Sequence, residues 1–280
     1  MSEQKSASQT AETTALLRAV ACFETDAKIR VQDNLAKLFL PEERRGKLPY
    51  EAWRRACKER AEAKNKGLYE YIIARTAYFD ELFADALKEN VPQIVLLGAG
   101  YDSRAYRFPA GGKVFEVDAP FTQERKTSIL RSNGIDLAKA VFVPVDFEKD
   151  DLFARLAESG YDFGQKTLFL WEGVVLYLSP GAVDETLRAI KQNSCGVLAF
   201  DYLNVAMGRG EVVLKDERVL FGMGKPEIEA YLRSLGYGAL ENLSPDDIST
   251  KYLTCSDGKT FGAVKRTMSF IKAAIQQSLN

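Results

Sequence analysis

Four acidic residues each end a short apolar run of the sequence: Asp118, Asp146, Glu172 and Asp201. If these runs are parallel strands, their carboxyl ends lie along one edge of a sheet, which is where ligands bind in open α/β folds. Any single carboxylate at such a position can instead be a helix cap or face solvent. Taken together, the four predict a binding edge of negative charge.

A glycine loop follows a fifth apolar run, Gln93–Leu97, and consists of Gly98, Ala99, Gly100, Tyr101 and Asp102. Two glycines in a G-x-G pattern between a strand and a helix allow the backbone to approach a nucleotide-like ligand. Dinucleotide loops have Gly or Ala three residues after the second glycine, where this chain has Ser103. Asp102 would also repel a pyrophosphate at a helix N-terminus. The loop therefore favours S-adenosylmethionine, whose sulfonium and ammonium groups are positive, over NAD, although a plain βα turn capped by Asp102 is an alternative.

The residue types that are missing limit the chemistry further. The chain has no histidine, which excludes Ser-His-Asp and Cys-His nucleophilic sites and histidine-based metal centres. Its four cysteines are far apart in sequence, so neither a disulfide framework nor a zinc cluster is predicted. We therefore predict no metal, and reaction chemistry that depends on carboxylates, Tyr, Lys, Arg, backbone groups or a cofactor.

Length and charge restrict the class of protein and its partners. The 280 residues suit one large domain, or a core with a helical extension, and the formal net charge of −1 gives no basic field for nucleic acid. No apolar run approaches the roughly 18–20 residues that span a bilayer. The polar first fifteen residues lack the apolar centre of a signal peptide, so we expect a disordered start and a cytoplasmic protein. The sequence does not indicate an oligomeric state.

The pattern of apolar residues changes period near Pro92. Before it, stretches such as Leu68–Lys88 have apolar residues at the 3.6-residue spacing of helices. After it, short apolar runs alternate with helical patterns, which predicts βαβ units and a mostly parallel sheet. Near the end, Thr260–Phe270 alternates enough to predict a last, antiparallel strand, and the glycines of Gly208–Gly224 predict a mobile loop over the site.

These motifs resemble the leucine carboxyl methyltransferase-like family of S-adenosylmethionine-dependent methyltransferases. The matching segments are ARTAYFDELF (74–83), LLGAGYDSRAYRF (96–108), FEVDAP (115–120), VPVDFE (143–148) and WEGVVLYLS (171–179). The resemblance implies a Rossmann-like class I methyltransferase fold, with a mostly parallel seven-stranded sheet flanked by helices. It further implies an N-terminal helical extension over residues 1–90 and a cofactor-binding core over residues 91–280, with an insert around 203–224.

The resemblance also implies contacts to the methionyl part of the cofactor. Arg75 would pair with its carboxylate, the backbone at Gly98 and Gly100 would approach it, and Glu172 would face its ammonium group. Tyr177 would lie at the methyl-transfer centre, although packing within the apolar segment around it is an equally open interpretation. The family also has a basic residue in its N-terminal region, which in this chain would be Lys28 or Arg30.

The other contacts concern the adenosyl part. Asp118 lies twenty residues after Gly98 at the end of the next predicted strand, where Rossmann-like sites have an acid that accepts both ribose hydroxyls. Asp146 and Phe147 would frame the adenine. Arg104 and Arg107, which follow the glycine loop, either hold an anionic substrate or pack and pair at the surface.

A chain without histidine suits a methyl acceptor that needs no base. A carboxylate, with a pKa of about 4, is already ionised at pH 7. We therefore expect O-methylation of a small-molecule or peptide carboxylate, with no nucleic-acid or membrane partner. The alternatives are an NAD-type Rossmann oxidoreductase and a non-catalytic ligand-binding protein on the same fold.

Overall fold

A computed structural model describes residues 2–205, 212–214 and 217–275. The α-helices are α1 (Ser2–Ala21), α2 (Glu42–Lys47), α3 (Glu51–Lys64), α4 (Leu68–Lys88), α5 (Arg104–Arg107), α6 (Pro120–Ser132), α7 (Leu152–Glu158), α8 (Pro180–Asn193), α9 (Lys225–Ser234) and α10 (Pro245–Tyr252). The strands are β1 (Gln93–Leu97), β2 (Lys113–Asp118), β3 (Val141–Pro144), β4 (Lys166–Trp171), β5 (Cys195–Leu203), β6 (Val212–Leu214), β7 (Glu217–Val219), β8 (Gly238–Leu243) and β9 (Met268–Ile275). In the described part of the chain, no helix is both long enough and apolar enough to cross a membrane.

Seven strands form one sheet in the order β3-β2-β1-β4-β5-β9-β8. The first five are parallel to one another, and β9 runs antiparallel to both β5 and β8. The predicted mostly parallel seven-stranded sheet is therefore confirmed. Strand order reverses at β1, which pairs with both β2 and β4, and a crevice opens beyond the carboxyl ends of strands at such a switch point.

The strands of the centre have the apolar runs that burial on both faces requires. Every residue of β1 is buried, and all of β4 except Lys166 is buried. On one face, α4 covers the sheet, with the ring of Tyr78 stacked on that of Phe270 at 4.8 Å between centroids. The glycine at residue 67 begins α4 in a left-handed conformation, with φ of 73°.

Two predictions from the ends of the sequence are wrong. The first residues form helix α1 rather than a disordered start, because Ala, Glu, Gln and Lys there favour helix and the helix continues into a buried face around Leu17. The last strand is Met268–Ile275 rather than Thr260–Phe270, because the backbone of residues 263–265 packs against Gly67 instead of joining the sheet.

The predicted mobile loop Gly208–Gly224 lies partly outside the described residues, which omit 206–211 and 215–216. The described part includes the antiparallel pair of strands β6 and β7. After it, the N–H groups of Leu220 and Phe221 both donate to the carbonyl of Leu176, at 2.9 and 3.2 Å. These bonds place the end of the segment beside the sheet edge that carries the candidate site.

Candidate functional site

A cavity of about 780 Å³ lies at the carboxyl ends of β1, β2 and β4. This volume is within the range of small-molecule sites. Helices α1 and α4 enclose it from the other side. It is lined by all ten residues that were predicted for the site: Arg75, Gly98, Ala99, Gly100, Asp102, Asp118, Asp146, Phe147, Glu172 and Tyr177.

The glycine loop needs both of its glycines. Gly98 and Gly100 have φ of 66° and 41°, in the left-handed region that glycine adopts without penalty. A Cβ on Gly98 would come within 2.3 Å of the Val174 side chain, so this turn admits only glycine. A Cβ on Gly100 would meet only the Gly98 carbonyl oxygen, at 3.8 Å, so the backbone at Gly100 is open to the cavity.

Asp118 joins this loop to the end of β2. Its Oδ2 accepts a hydrogen bond from the Gly100 N–H at 2.5 Å, and its Oδ1 accepts one from the Ala119 N–H at 2.7 Å. Burial raises the pKa of this carboxyl, although these backbone donors act in the opposite direction. A carboxylate has about four lone-pair sites, so Asp118 keeps acceptor capacity for a ligand while it holds the loop through Gly100 and Ala119 and bonds the Thr122 side chain.

Glu172 lies after β4 between two arginines. Its Oε1 is 3.0 Å from Nε of Arg75, and its Oε2 accepts a hydrogen bond from Nη1 of Arg104 at 2.7 Å. Arg75 is buried, and its Nη1 lies 3.5 Å from Oδ2 of Asp201. A Cβ on Gly173 would come within 2.7 Å of Arg75 Nη1, so a glycine next to Glu172 makes room for the guanidinium.

Asp201 was one of the four acidic residues predicted to end a strand at the binding edge, and for Asp201 this prediction is wrong. Strand β5 continues to Leu203, and Asp201 is fully buried within it. Its Oδ1 accepts from the Gly173 N–H at 2.6 Å, and its Oδ2 accepts from the hydroxyl of Tyr71. Asp201 therefore positions the Glu172–Gly173 corner and Arg75 instead of lining the cavity.

The two arginines after the glycine loop belong to a buried ion network, not to a substrate site and not to the surface. Arg104 is 2% exposed, and it contacts Asp102 Oδ2 at 2.5 Å and Asp80 Oδ1 at 2.8 Å. Arg107 pairs with both carboxylate oxygens of Asp80. The sequence interpretation missed Asp80 because α4 brings it to the loop from 24 residues away.

Asp102 is fixed by the same network. Its Oδ1 accepts from the Arg104 N–H at 2.7 Å, at the start of α5. Burial acts to raise the pKa of Asp102, but the charges of Arg104 and Lys126 outweigh it and lower the pKa to about 2. Ser103, which distinguishes this loop from a dinucleotide-binding loop, is also hydrogen-bonded within the protein: its hydroxyl donates to Asp33 at 2.7 Å. An ionised Asp102 thus occupies the place where a phosphate-binding loop offers free N–H groups.

The loop after β3 contributes an aromatic and an acidic side chain. Phe147 stacks on Trp171, with ring centroids 6.0 Å apart and planes 29° apart. Asp146 is partly exposed, and its hydrogen bond from Lys149 lowers its pKa. Tyr177 ends a 3-10 turn that starts at Val175, and it is half-buried at the cavity wall.

Neither Lys28 nor Arg30 lines the cavity, so that prediction is wrong; helix α1 contributes a different basic residue, Arg18. Arg18 is buried on α1, where its Nε is 3.1 Å from Oδ2 of Asp33 and its Nη2 donates to the Tyr101 carbonyl at 2.6 Å. It therefore ties α1 to the glycine loop. The helical pattern around Arg18 was visible in the sequence, but its position over the cavity was not.

Comparison with known proteins agrees with this geometry. The family model described as leucine carboxyl methyltransferase matches residues 11–191, which is more than half of the chain. The chain belongs to the leucine carboxyl methyltransferase family. The matched region includes the glycine loop and all ten predicted residues that line the cavity.

Two curated proteins similar to this leucine carboxyl methyltransferase family member come from mycobacteria, and both are named as candidate S-adenosyl-L-methionine-dependent methyltransferases. The one from Mycolicibacterium smegmatis is 44% identical over 127 residues, which cover 44% of this chain and 40% of that protein. The one from Mycobacterium tuberculosis is 43% identical over 118 residues, which cover 41% of this chain and 38% of that protein. The similarity thus spans less than half the length of these relatives.

A solved structure shows the fold of this leucine carboxyl methyltransferase family member. The crystal structure of a candidate methyltransferase from Thermobifida fusca superposes with a TM-score of 0.53, covering 81% of this chain and 90% of that one at 16% sequence identity. The predicted Rossmann-like class I methyltransferase fold is therefore confirmed.

Proposed function

We propose that this chain binds S-adenosylmethionine and methylates a carboxylate oxygen of a small-molecule or peptide acceptor. The observation that carries the proposal is the acidic edge of the cavity: Asp118 and Glu172 face it beside a glycine loop whose phosphate position Asp102 occupies. Carboxylates attract a methyl donor that has a positive sulfonium and a positive ammonium, and they repel the pyrophosphate of NAD. Because Ser103 and Asp102 are both hydrogen-bonded within the protein, the loop does not offer a free site for phosphate, which argues against an NAD-type oxidoreductase.

The residues present fit this cofactor. The backbone at Gly100 is open to the cavity and would admit the methionyl chain, and Arg75 and Glu172, which line the cavity, would hold its carboxylate and its ammonium group. Arg75 is held between Glu172 and Asp201 and lines the cavity, so its guanidinium is fixed where it can meet the carboxylate of the ligand. Asp118 would accept hydrogen bonds from the ribose hydroxyls, and Asp146 and Phe147 would frame the adenine.

When bound, S-adenosylmethionine supplies the methyl group: its sulfur–methyl bond breaks with the electron pair left on sulfur, while a carboxylate oxygen of the acceptor forms the new bond to carbon. The chain's own residues align the two partners and exclude water. Tyr177 contacts the transfer centre from the cavity wall. An ionised carboxylate has no proton to lose, so a site without histidine is sufficient.

The experiment is transfer of a labelled methyl group from S-adenosylmethionine to a panel of carboxylic acids and peptides, followed by mild alkali. Methyl esters release the label as volatile methanol, whereas methyl groups on nitrogen or carbon stay bound. We expect alkali-labile label that is lost in the Glu172→Gln variant. Label that survives alkali would contradict transfer to a carboxylate, and cofactor binding with no transfer to the panel or to a cell extract would favour a non-catalytic binder.

A further inference from the structure

A buried ion pair lies behind the acidic edge of the cavity, and none of the proposed cofactor contacts uses it. Nζ of Lys126, on α6, is 2.7 Å from Oε2 of Glu116, on β2, and both side chains are 1% exposed. Charged side chains are rarely buried this deeply, because each loses its hydration on folding. An apolar pair of similar size often stabilises a core as well as such an ion pair does, so stability is a weak explanation for these two residues.

The pair is adjacent to Asp118 on both of the elements that form it. Glu116 and Asp118 are two positions apart on β2, so their side chains lie on the same face of the strand. On α6, Lys126 is one helical turn after Thr122, whose hydroxyl donates to the Asp118 carboxylate. Between these two residues of α6, Nε2 of Gln123 donates to the Glu116 carbonyl at 2.7 Å. The contacts Thr122–Asp118 and Lys126–Glu116 therefore join the same helix to the same strand, one after the other.

The ammonium group of Lys126 also faces the helix that follows the glycine loop. Its Nζ is 5.8 Å from the centre of the Tyr106 ring on α5. Asp102 in the loop has Arg104 as a direct partner, at 2.5 Å. Among the residues that the structure describes, by contrast, no lysine or arginine lies within ion-pair distance of Asp118. Burial raises the pKa of the Asp118 carboxyl, and the charge of Lys126 acts in the opposite direction, together with the hydrogen bonds described above.

We propose that Lys126 is a positioning residue for S-adenosylmethionine: its buried ammonium keeps the Asp118 carboxylate ionised, and its pairing with Glu116 holds α6 where Thr122 orients that carboxylate at the cavity wall. The inference rests on the proposed function for the identity of the ligand. The ionisation of Asp118, however, is a property of the protein alone and can be measured without a ligand.

The groups around Asp118 explain why a cation is needed there. Glu116 from β2 and Asp102 from the glycine loop are acids, and when ionised both disfavour a further negative charge. Tyr106 from α5 is un-ionised at neutral pH, because burial raises the pKa of its hydroxyl. The charge of Asp102 is offset by its own arginine, which leaves Lys126 to balance Glu116 and Asp118.

The test follows the titration of Asp118 by carbon NMR of the full chain, with the aspartate carboxyl carbons labelled. The signal of Asp118 is identified by its absence in Asp118→Asn. Lys126→Met alone would leave Glu116 buried without a counter-charge, so the comparison is made in the Glu116→Gln background, which has no such charge. We expect the midpoint of Asp118 to be about one pH unit higher in Glu116→Gln with Lys126→Met than in Glu116→Gln alone.

Arg131→Met in the same Glu116→Gln background is the matched control, because it removes a positive charge from the exposed last turn of α6. It should leave the Asp118 midpoint of Glu116→Gln unchanged, and thermal unfolding shows whether each variant is folded. Equal midpoints with and without Lys126 overturn the inference, whatever the affinity for a ligand.

A second arm measures the affinity for S-adenosylhomocysteine against pH by calorimetry in the same variants. The affinity should fall toward acid pH around the Asp118 midpoint of each variant, so the loss begins at a higher pH where Lys126 is replaced. A loss of packing alone would weaken binding equally at every pH. An affinity profile that does not follow the shifted midpoint overturns the positioning role. Absence of binding in every protein, the wild type included, refutes the proposed function instead, and the NMR midpoints still decide whether Lys126 keeps Asp118 ionised.

Discussion

Replacement of Asp118 by alanine tests the acidic edge at the residue with the clearest geometry. The carboxylate accepts backbone hydrogen bonds from Gly100 at 2.5 Å and from Ala119 at 2.7 Å, and it keeps acceptor capacity for a ribose hydroxyl. A hydrogen bond to a charged group contributes about 1.5–3 kcal/mol. Alanine removes these acceptors from the ligand and also frees the Gly100 N–H, so the loop becomes less well ordered.

We expect Asp118→Ala to weaken the binding of S-adenosylhomocysteine by about 1–3 kcal/mol, which is roughly 5- to 150-fold in the dissociation constant. Titration calorimetry measures this change. Asp118→Asn keeps one oxygen acceptor and should fall between the wild type and alanine. Glu124→Ala, on the exposed side of the adjacent α6, should bind as the wild type does. A folded Asp118→Ala protein with unchanged affinity would remove Asp118 from the site and refute the reasoning.

Three further predictions concern the methyl-transfer centre, the glycine loop and the buried ion network. Tyr177→Phe should lower turnover in the methyl-transfer assay more than it weakens cofactor binding; an equal loss in both would argue against a role at the transfer centre. Gly98→Ala should destabilise the fold by a few kcal/mol in chemical denaturation, because its Cβ would clash with Val174 at 2.3 Å in a left-handed backbone; wild-type stability would show that the loop relaxes freely. The folded-state pKa of Asp102, about 2, is below its ordinary 3.8, so its ionised form stabilises the fold above pH 4 and that contribution is lost as the pH falls toward 2. The difference in unfolding free energy between the wild type and Asp102→Asn should therefore shrink by about 2 kcal/mol over this interval, and a constant difference would contradict the assignment.

The central part of the fold could be predicted because its signals are local. Ten consecutive residues, 95–104, contain the end of a buried strand, two glycines and the start of a helix, and the structure has all three parts. The acids Asp118 and Glu172 directly follow apolar runs, so their place at the sheet edge follows from the strands. The positions of these residues can be predicted without knowing how distant parts of the chain pack.

The errors concern residues whose surroundings come from elsewhere in the chain. Arg104 resembles a surface arginine in sequence, but the packing of α4 brings Asp80 to it, and the pairing of β4 with β1 brings Glu172 to it. Asp201 ends an apolar run, but the antiparallel pairing with β9 extends the strand beyond it. Arg18 lies over the cavity because α1 crosses the glycine loop, a tertiary contact that the helical period does not encode. The division into residues 1–90 and 91–280 and the role of each site residue remain predictions.

Whether the ligand binds at an acidic sheet edge or in a phosphate-binding loop can be measured with two ligands of opposite charge character. Titration calorimetry of the purified chain with S-adenosylhomocysteine and, separately, with NAD compares the two ligands on one protein. We expect saturable binding of S-adenosylhomocysteine with one site per chain and no measurable heat with NAD. Tighter binding of NAD than of S-adenosylhomocysteine would contradict it.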